Sequence, residues 1–159
     1  MVNSERAQLV IRRYRDEDHD AVWWLHNNAL RRVGAHGGNG PWDDDLHDIG
    51  RIYFPAGDFL VGELNGQIVA IGAIKRESQG CAAVKRMRVH PNHQRHGFGQ
   101  QILDALQDRA RDLGYTKLVL DTTVQQIAAQ RLYEKNGFVR MGRGMFGRFP
   151  VIFYEKLLP

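Results

Sequence analysis

Apolar positions along this chain change period several times, and each change marks an element. Residues 9–14, "LVIRRY", have the length and composition of a short strand. Beyond the acidic stretch at 16–18, Ala21, Val22, Leu25 and Ala29 recur at the spacing of one helix face. Asp16 or Asp18 is placed to cap that helix. "GAHGGNGP" at 34–41 breaks the pattern, and a second helix is expected over 43–53, with aspartates where the helix dipole favours negative charge. Two apolar runs then meet at Asn65-Gly66, a pair suited to a type I′ turn, so 58–77 reads as a hairpin. Its second run, 68–74, is apolar on both faces and predicts a central strand.

"CAAVKRMRVHP" supplies the next strand, ended by Pro91, which has no N–H for a ladder. Phe98, Ile102, Leu106, Ala110 and Leu113 form one helical stripe that stops at Gly114. "KLVLDTT" is a fifth strand, "QQIAAQRLYEKNG" a helix closed by Asn136-Gly137, and "FVRMG" with "PVIFYEKLL" completes the sheet. The order predicts one α+β domain over 9–159, preceded by a tail at 1–8. Its single sheet is mixed but mostly antiparallel, with about four flanking helices.

Composition narrows the picture. The 159 residues are 43% hydrophobic and 25% charged, which excludes disordered and fibrous classes. One cysteine, Cys81, excludes an internal disulfide framework. No segment reads as a signal peptide, and the run 68–74 is too short for a membrane span, so a cytoplasmic protein without membrane attachment is expected. The net charge of +4 comes without any block of basic residues, which argues against nucleic acid as a partner. Seven histidines show no HExxH-like spacing, and no metal site is expected.

The candidate chemistry lies in "HPNHQRHGFGQQIL", 90–103. Gly97 and Gly99 permit positive φ and a close backbone approach, directly before a helix whose first N–H groups lack partners. Such a helix mouth suits a phosphate, with Arg95 and His96 able to add charge. The alternative is a glycine-softened turn. A dinucleotide fingerprint is excluded because Ile102 stands where the third glycine belongs, and no G-K-[ST] follows to make a P-loop.

"QRHGFG", 94–99, matches the [QR]-x-x-G-x-[GA] loop of the GNAT superfamily of N-acetyltransferases. "KRMRVHPNHQRHGFGQQIL" resembles that family's strand–loop–helix core, and "LVLDTT" with "AAQRLYEKNGF" resembles its next strand and helix. The resemblance implies a GNAT-like fold with a splayed central strand pair and acetyl-CoA as cofactor. Main-chain groups of Met87, Arg88 and Val89 would meet the pantetheine arm, and amides of Gln94, Arg95, His96, Gly97, Phe98, Gly99 and Gln100 the diphosphate. Ala129 and Tyr133 would face the cofactor from one side of the last helix, and Tyr133 would act as general acid. Without the motif, Tyr133 reads first as a core residue against Phe138.

The acceptor of such an enzyme is a primary amine on a small molecule or peptide. His26, Trp42, Asp43, Asp44 and Tyr53 are candidates to hold it, with Asp45 and His36 nearby. Each also has a plainer reading as packing, surface or helix-start residue. The glutamate base of histone-acetylating relatives is replaced here by Ala83, leaving Glu63, Glu77, His90 or a water chain. Cys81 lacks a catalytic partner nearby in sequence, which disfavours an acetyl-cysteine intermediate. A homodimer is compatible with the resemblance, and a non-catalytic acyl-CoA sensor is the competing reading.

Overall fold

The computed structural model describes residues 8–159, so the expected tail at 1–8 lies outside it except for Gln8. The elements run β1 (Val10–Arg13), α1 (His19–Arg32), α2 (Ile49–Tyr53), β2 (Asp58–Leu64), β3 (Gln67–Ser78), β4 (Cys81–Val89), α3 (Phe98–Asp112), β5 (Lys117–Thr123), α4 (Ile127–Lys135), β6 (Val139–Phe146) and β7 (Phe149–Leu157). The strands form one seven-stranded sheet in the order β1-β2-β3-β4-β5-β7-β6. Only β4 and β5 pair in parallel. The expected α+β class, order of elements and hairpin are all present, with Asn65 and Gly66 at φ 52° and 77°.

The sheet is covered on both faces because β3 is apolar on both. Ile102, Leu103, Leu106 and Ala110 of α3 pack over Ala70 and Ile74. Val22 and Leu25 of α1, with Ile49 and Tyr53 of α2, cover Ile71 and Ala73 from the other side. Burying a Leu- or Ile-sized side chain contributes about 1.5–3 kcal/mol, so these two layers dominate the stability of the domain.

Two helix expectations need correction. Residues 16–18 form a 3-10 turn, and Asp18 does not cap α1. Its carboxylate instead accepts the Arg15 N–H at 2.8 Å and two Arg12 bonds at 2.7 and 2.8 Å. The helix expected over 43–53 divides into a 3-10 segment, Pro41–His47, and the five-residue α2. Asp48, at φ −152° and ψ 47°, leaves helical geometry between them. The 3-10 segment turns Asp43 into the interior and aims Asp45 at β4, so ion pairing there replaces helical continuity.

The parallel pair opens like a V. It is registered only at Cys81–Lys117, Ala82–Leu118 and Ala83–Val119. Beyond those positions β5 stays with β7 as far as Thr123–Val151 and departs from β4. A bulge also bends β4: Arg86 and Met87 fall between the Ala73–Lys85 and Ile71–Arg88 partners, with Arg86 at φ 59°. Gly72 stands opposite, and a Cβ there would lie 2.7 Å from the Met87 sulfur and 2.6 Å from an Ile102 methyl. The bulge therefore requires glycine on β3.

Candidate active site

The open end of the V is lined by β4, the α3 mouth and α4. His90 donates its N–H to Val69 O of β3 at 2.7 Å. Successive strand residues direct their N–H and C=O groups to opposite edges, so Val89 and Met87 turn theirs toward the gap left by β5. Two of those carbonyls already accept side-chain donors: Val89 O from Gln94 Nε2 at 2.9 Å, and Met87 O from Arg88 Nη1 at 2.8 Å. The Gln94 bond ties the loop before α3 to the end of the strand.

The first helical bond of α3 is donated by Gln101 N to Gly97 O at 3.1 Å. The amides of Phe98, Gly99 and Gln100 precede it and have no intrahelical acceptor, and no side chain caps them. Gly97 takes φ 78°, as expected of a turn that aims these amides outward. Gly99 does not share that conformation. It lies inside α3, and a Cβ there would sit 3.5 Å from Leu132 and 3.6 Å from Val89. Its role is spatial, keeping the floor of the gap low. Arg95 is the second left-handed residue of the loop, at φ 65°. Arg95 and His96 line a surface pocket of about 860 Å³ with Leu64, His93 and Phe98. Met87, Ala129 and Tyr133 do not border that pocket.

α4 brings Ala129 and Tyr133 to the same side, packed against the α3-side core. Tyr133 is buried between Phe138 and Tyr154, with centroid separations of 5.6 and 6.1 Å. The phenol is therefore both a core residue and a candidate acid. Burial pushes its pKa above the ordinary tyrosine value, while the nearby Arg88 charge works in the opposite direction. A paired amide clamp joins α3 to α4: Gln100 and Asn136 exchange two bonds of 2.8 Å. The strand–helix junction is fixed by Gln126, whose Oε1 accepts from Thr123 N at 3.2 Å. Neither contact had a sequence signal beyond amide residues near element ends.

On the α1–α2 face, His26, Asp43, Asp45 and Tyr53 converge on Arg86. The guanidinium donates to Asp45 at 2.6 and 3.0 Å and to Trp42 O at 2.6 Å, and lies 3.7 Å from Asp43. Tyr53 donates its hydroxyl to Asp45. Asp43 accepts from His26 Nε2 at 3.0 Å and from Asn39 at 2.9 Å. His26 is driven down to about 3, first by burial and then by the charges of Arg88 and Arg86. Its proton thus sits on Nε2, and Nδ1 is buried without a partner.

Trp42 and Asp44 take different places. The Trp42 indole donates to Gly38 O at 3.1 Å, meets Phe146 edge-on and remains exposed, and Asp44 is exposed as well. Of the remaining base candidates, Glu63 is held by Arg12, and Glu77 is exposed at the far end of β3. His90 is buried against Trp24, and its Nδ1 accepts from Asn92 N at 3.0 Å. Burial lowers its pKa, so it is neutral at pH 7.

This geometry has counterparts. The family model described as "Acetyltransferase (GNAT) family" matches residues 19–138, which span α1 through α4. The chain belongs to the GNAT acetyltransferase family. Its similarity to an IAA acetyltransferase of Azospirillum brasilense is 36% identity over 116 residues, covering 71% of this chain and 76% of that protein. The chain spans about half the length of several other curated relatives that it matches.

Among solved structures, a GNAT-family acetyltransferase from Staphylococcus aureus Mu50 superposes with a TM-score of 0.88 at 20% identity, covering 96% of this chain and 100% of the other. A putative acetyltransferase from Salmonella typhimurium, solved with its cofactor acetyl-CoA, gives 0.79 at 24% identity, covering 95% and 94%. These neighbours establish the GNAT fold. No helix among the described residues is long and apolar enough to cross a membrane.

Proposed function

We propose that this GNAT protein transfers an acetyl group from acetyl-CoA directly to a primary amine. The observation that carries the reading is the V between β4 and β5, with the uncapped start of α3 beside it at Gly99, between Val89 of β4 and Leu132 of α4. The residues present suit such a cofactor. The α3 amides offer an anion cradle, Gly99 leaves room, and the Met87 and Val89 N–H groups face the route of an amide-bearing arm. In transfer, the amine nitrogen bonds to the acetyl carbon, the carbon–sulfur bond breaks, and the nitrogen loses a proton while sulfur gains one.

Tyr133 is the candidate donor to that sulfur. An alkyl thiol has a pKa of about 8.5, below that of a buried phenol. Tyr133 therefore acts best as a hydrogen-bond donor that relays a proton as the thiolate leaves, returning to its neutral form within the turnover. His26 is a poor base, because its imidazole is driven down to about 3.

Release of free coenzyme A thiol across a broad amine panel tests the proposal. Turnover with at least one primary amine is expected, and Tyr133→Phe should lower kcat by about 100-fold or more while changing acetyl-CoA affinity little. Acetyl-CoA binding without turnover on any amine would favour the sensor reading. Unchanged kcat in Tyr133→Phe would remove the phenol from the mechanism.

A further inference from the structure

Arg88 is the cation in this site that no carboxylate satisfies. It lies on β4 between Met87 and Val89, the two residues whose main chain faces the gap, and its partner across the ladder is Ile71 on the α1–α2 side. Arg86 supplies the contrast, with Asp45 gripping it twice and Asp43 at 3.7 Å. Arg88 makes one side-chain hydrogen bond among the described residues, from Nη1 to the neighbouring Met87 carbonyl at 2.8 Å. Its Nε is sealed from solvent with no acceptor among the described residues. No carboxylate of the described residues lies within 4.0 Å of it, and Asp43 is already committed to His26, Asn39 and Arg86.

An uncompensated charge in a partly buried cleft is costly, and folding alone gives no reason to keep it. Burial and the neighbouring Arg86 charge lower the Arg88 pKa to about 10, so it remains a cation at pH 7. Its charge is felt at both Tyr133 and His26, so it lies near the phenol and near the α1–α2 wall. A planar guanidinium with free donors is matched by a carboxylate.

Resting on the acetyl-transfer reading above, we infer that Arg88 is a specificity residue whose guanidinium binds the carboxylate of the acceptor. The acceptor class is then the amino acids. The acid group would anchor on Arg88 and direct the neighbouring nitrogen toward the thioester. Asp43 and Asp45, the carboxylates that the sequence offers to an ammonium group, are already occupied: Asp45 by Arg86 and Tyr53, and Asp43 by hydrogen bonds from His26 and Asn39 with Arg86 at 3.7 Å. The anionic end of the substrate is therefore the end this wall selects.

Matched acceptor sets test this: each amino acid beside its carboxamide and its decarboxylated amine, assayed by thiol release with wild type, Arg88→Gln and Arg88→Lys. Wild type should prefer the carboxylate member by about 10- to 100-fold in kcat/KM, the worth of one or two charge-assisted hydrogen bonds. Arg88→Gln should bring that ratio near one, chiefly through KM, and Arg88→Lys should keep part of it. Equal use of acid and amide by wild type overturns the inference, as does a ratio that survives in Arg88→Gln. An Arg88→Gln loss expressed mainly in acetyl-CoA affinity also overturns it, since the charge would then serve the cofactor.

If no amine is acetylated, the transfer reading fails, and calorimetry with the N-acetyl amino acids decides the carboxylate claim separately. Binding to wild type that weakens about tenfold or more in Arg88→Gln supports it, and no difference rejects it.

Discussion

At the residue scale, the two glycines of the α3 mouth do different jobs, and their substitutions should separate. Gly97 needs its left-handed φ of 78°, where an added Cβ meets open space. Gly97→Ala should cost about 1 kcal/mol of stability through backbone strain alone. Gly99→Ala should instead leave the free protein as stable or more so by about 0.5 kcal/mol, because alanine is the better helix former and the methyl makes ordinary contacts. Urea unfolding of both variants checks the contrast; equal losses would show that the two glycines serve the same conformational role.

His26 contributes to the pH dependence of stability. It is neutral when folded, with a pKa near 3, against about 6.5 in the unfolded chain. The unfolded state therefore binds the extra proton between those values. Its contribution is complete above pH 6.5 and falls by up to about 1.4 kcal/mol per unit as the pH drops below that. In His26→Gln the slope of stability against pH between 4 and 6.5 should flatten, as read by denaturant titration. An unchanged slope would mean that another group governs acid unfolding.

At the element scale, the cleft is held by contacts between elements rather than within them. The Gln100–Asn136 exchange fixes the start of α3 to the end of α4, so both rims of the site move together. Asn136→Ala removes that exchange and a further bond to Leu132 O at 2.8 Å. A loss of about 1–2 kcal/mol is expected, since the partly exposed Gln100 can turn to water. A melting temperature equal to wild type would show that the clamp contributes nothing.

The elements were largely legible because their patterns are strong: the Asn65-Gly66 turn, the doubly apolar β3 and the α3 stripe each have one physical reading. The segment 41–53 misled, because Asp43, Asp44 and Asp45 resemble an acidic helix start. Two of them are in fact spent on His26 and on Arg86, which approaches from β4. A contact between Asp45 and Arg86, 41 positions apart, leaves no local trace in the chain.

At the scale of the whole molecule, one geometric event creates the site. β5 follows β7 instead of β4 after three paired positions, and β4 carries a bulge at Arg86 and Met87 beyond them. The sequence carried the loop motif and the order of elements, from which the splay follows by family resemblance. It did not carry the bulge, which depends on Gly72 admitting Met87 and Ile102 together. It also gave no sign that Arg88 would lack a counter-ion, since pairing is decided by three-dimensional neighbours.

Everything functional depends on the opened strands and the uncapped helix mouth receiving acetyl-CoA. Calorimetric titration of wild type and Gly99→Ala with acetyl-CoA tests this most directly. The account predicts saturable one-to-one binding to wild type, weakened about tenfold or more when the methyl raises the floor between Val89 and Leu132. No heat with wild type, or equal affinity in the two proteins, would contradict it.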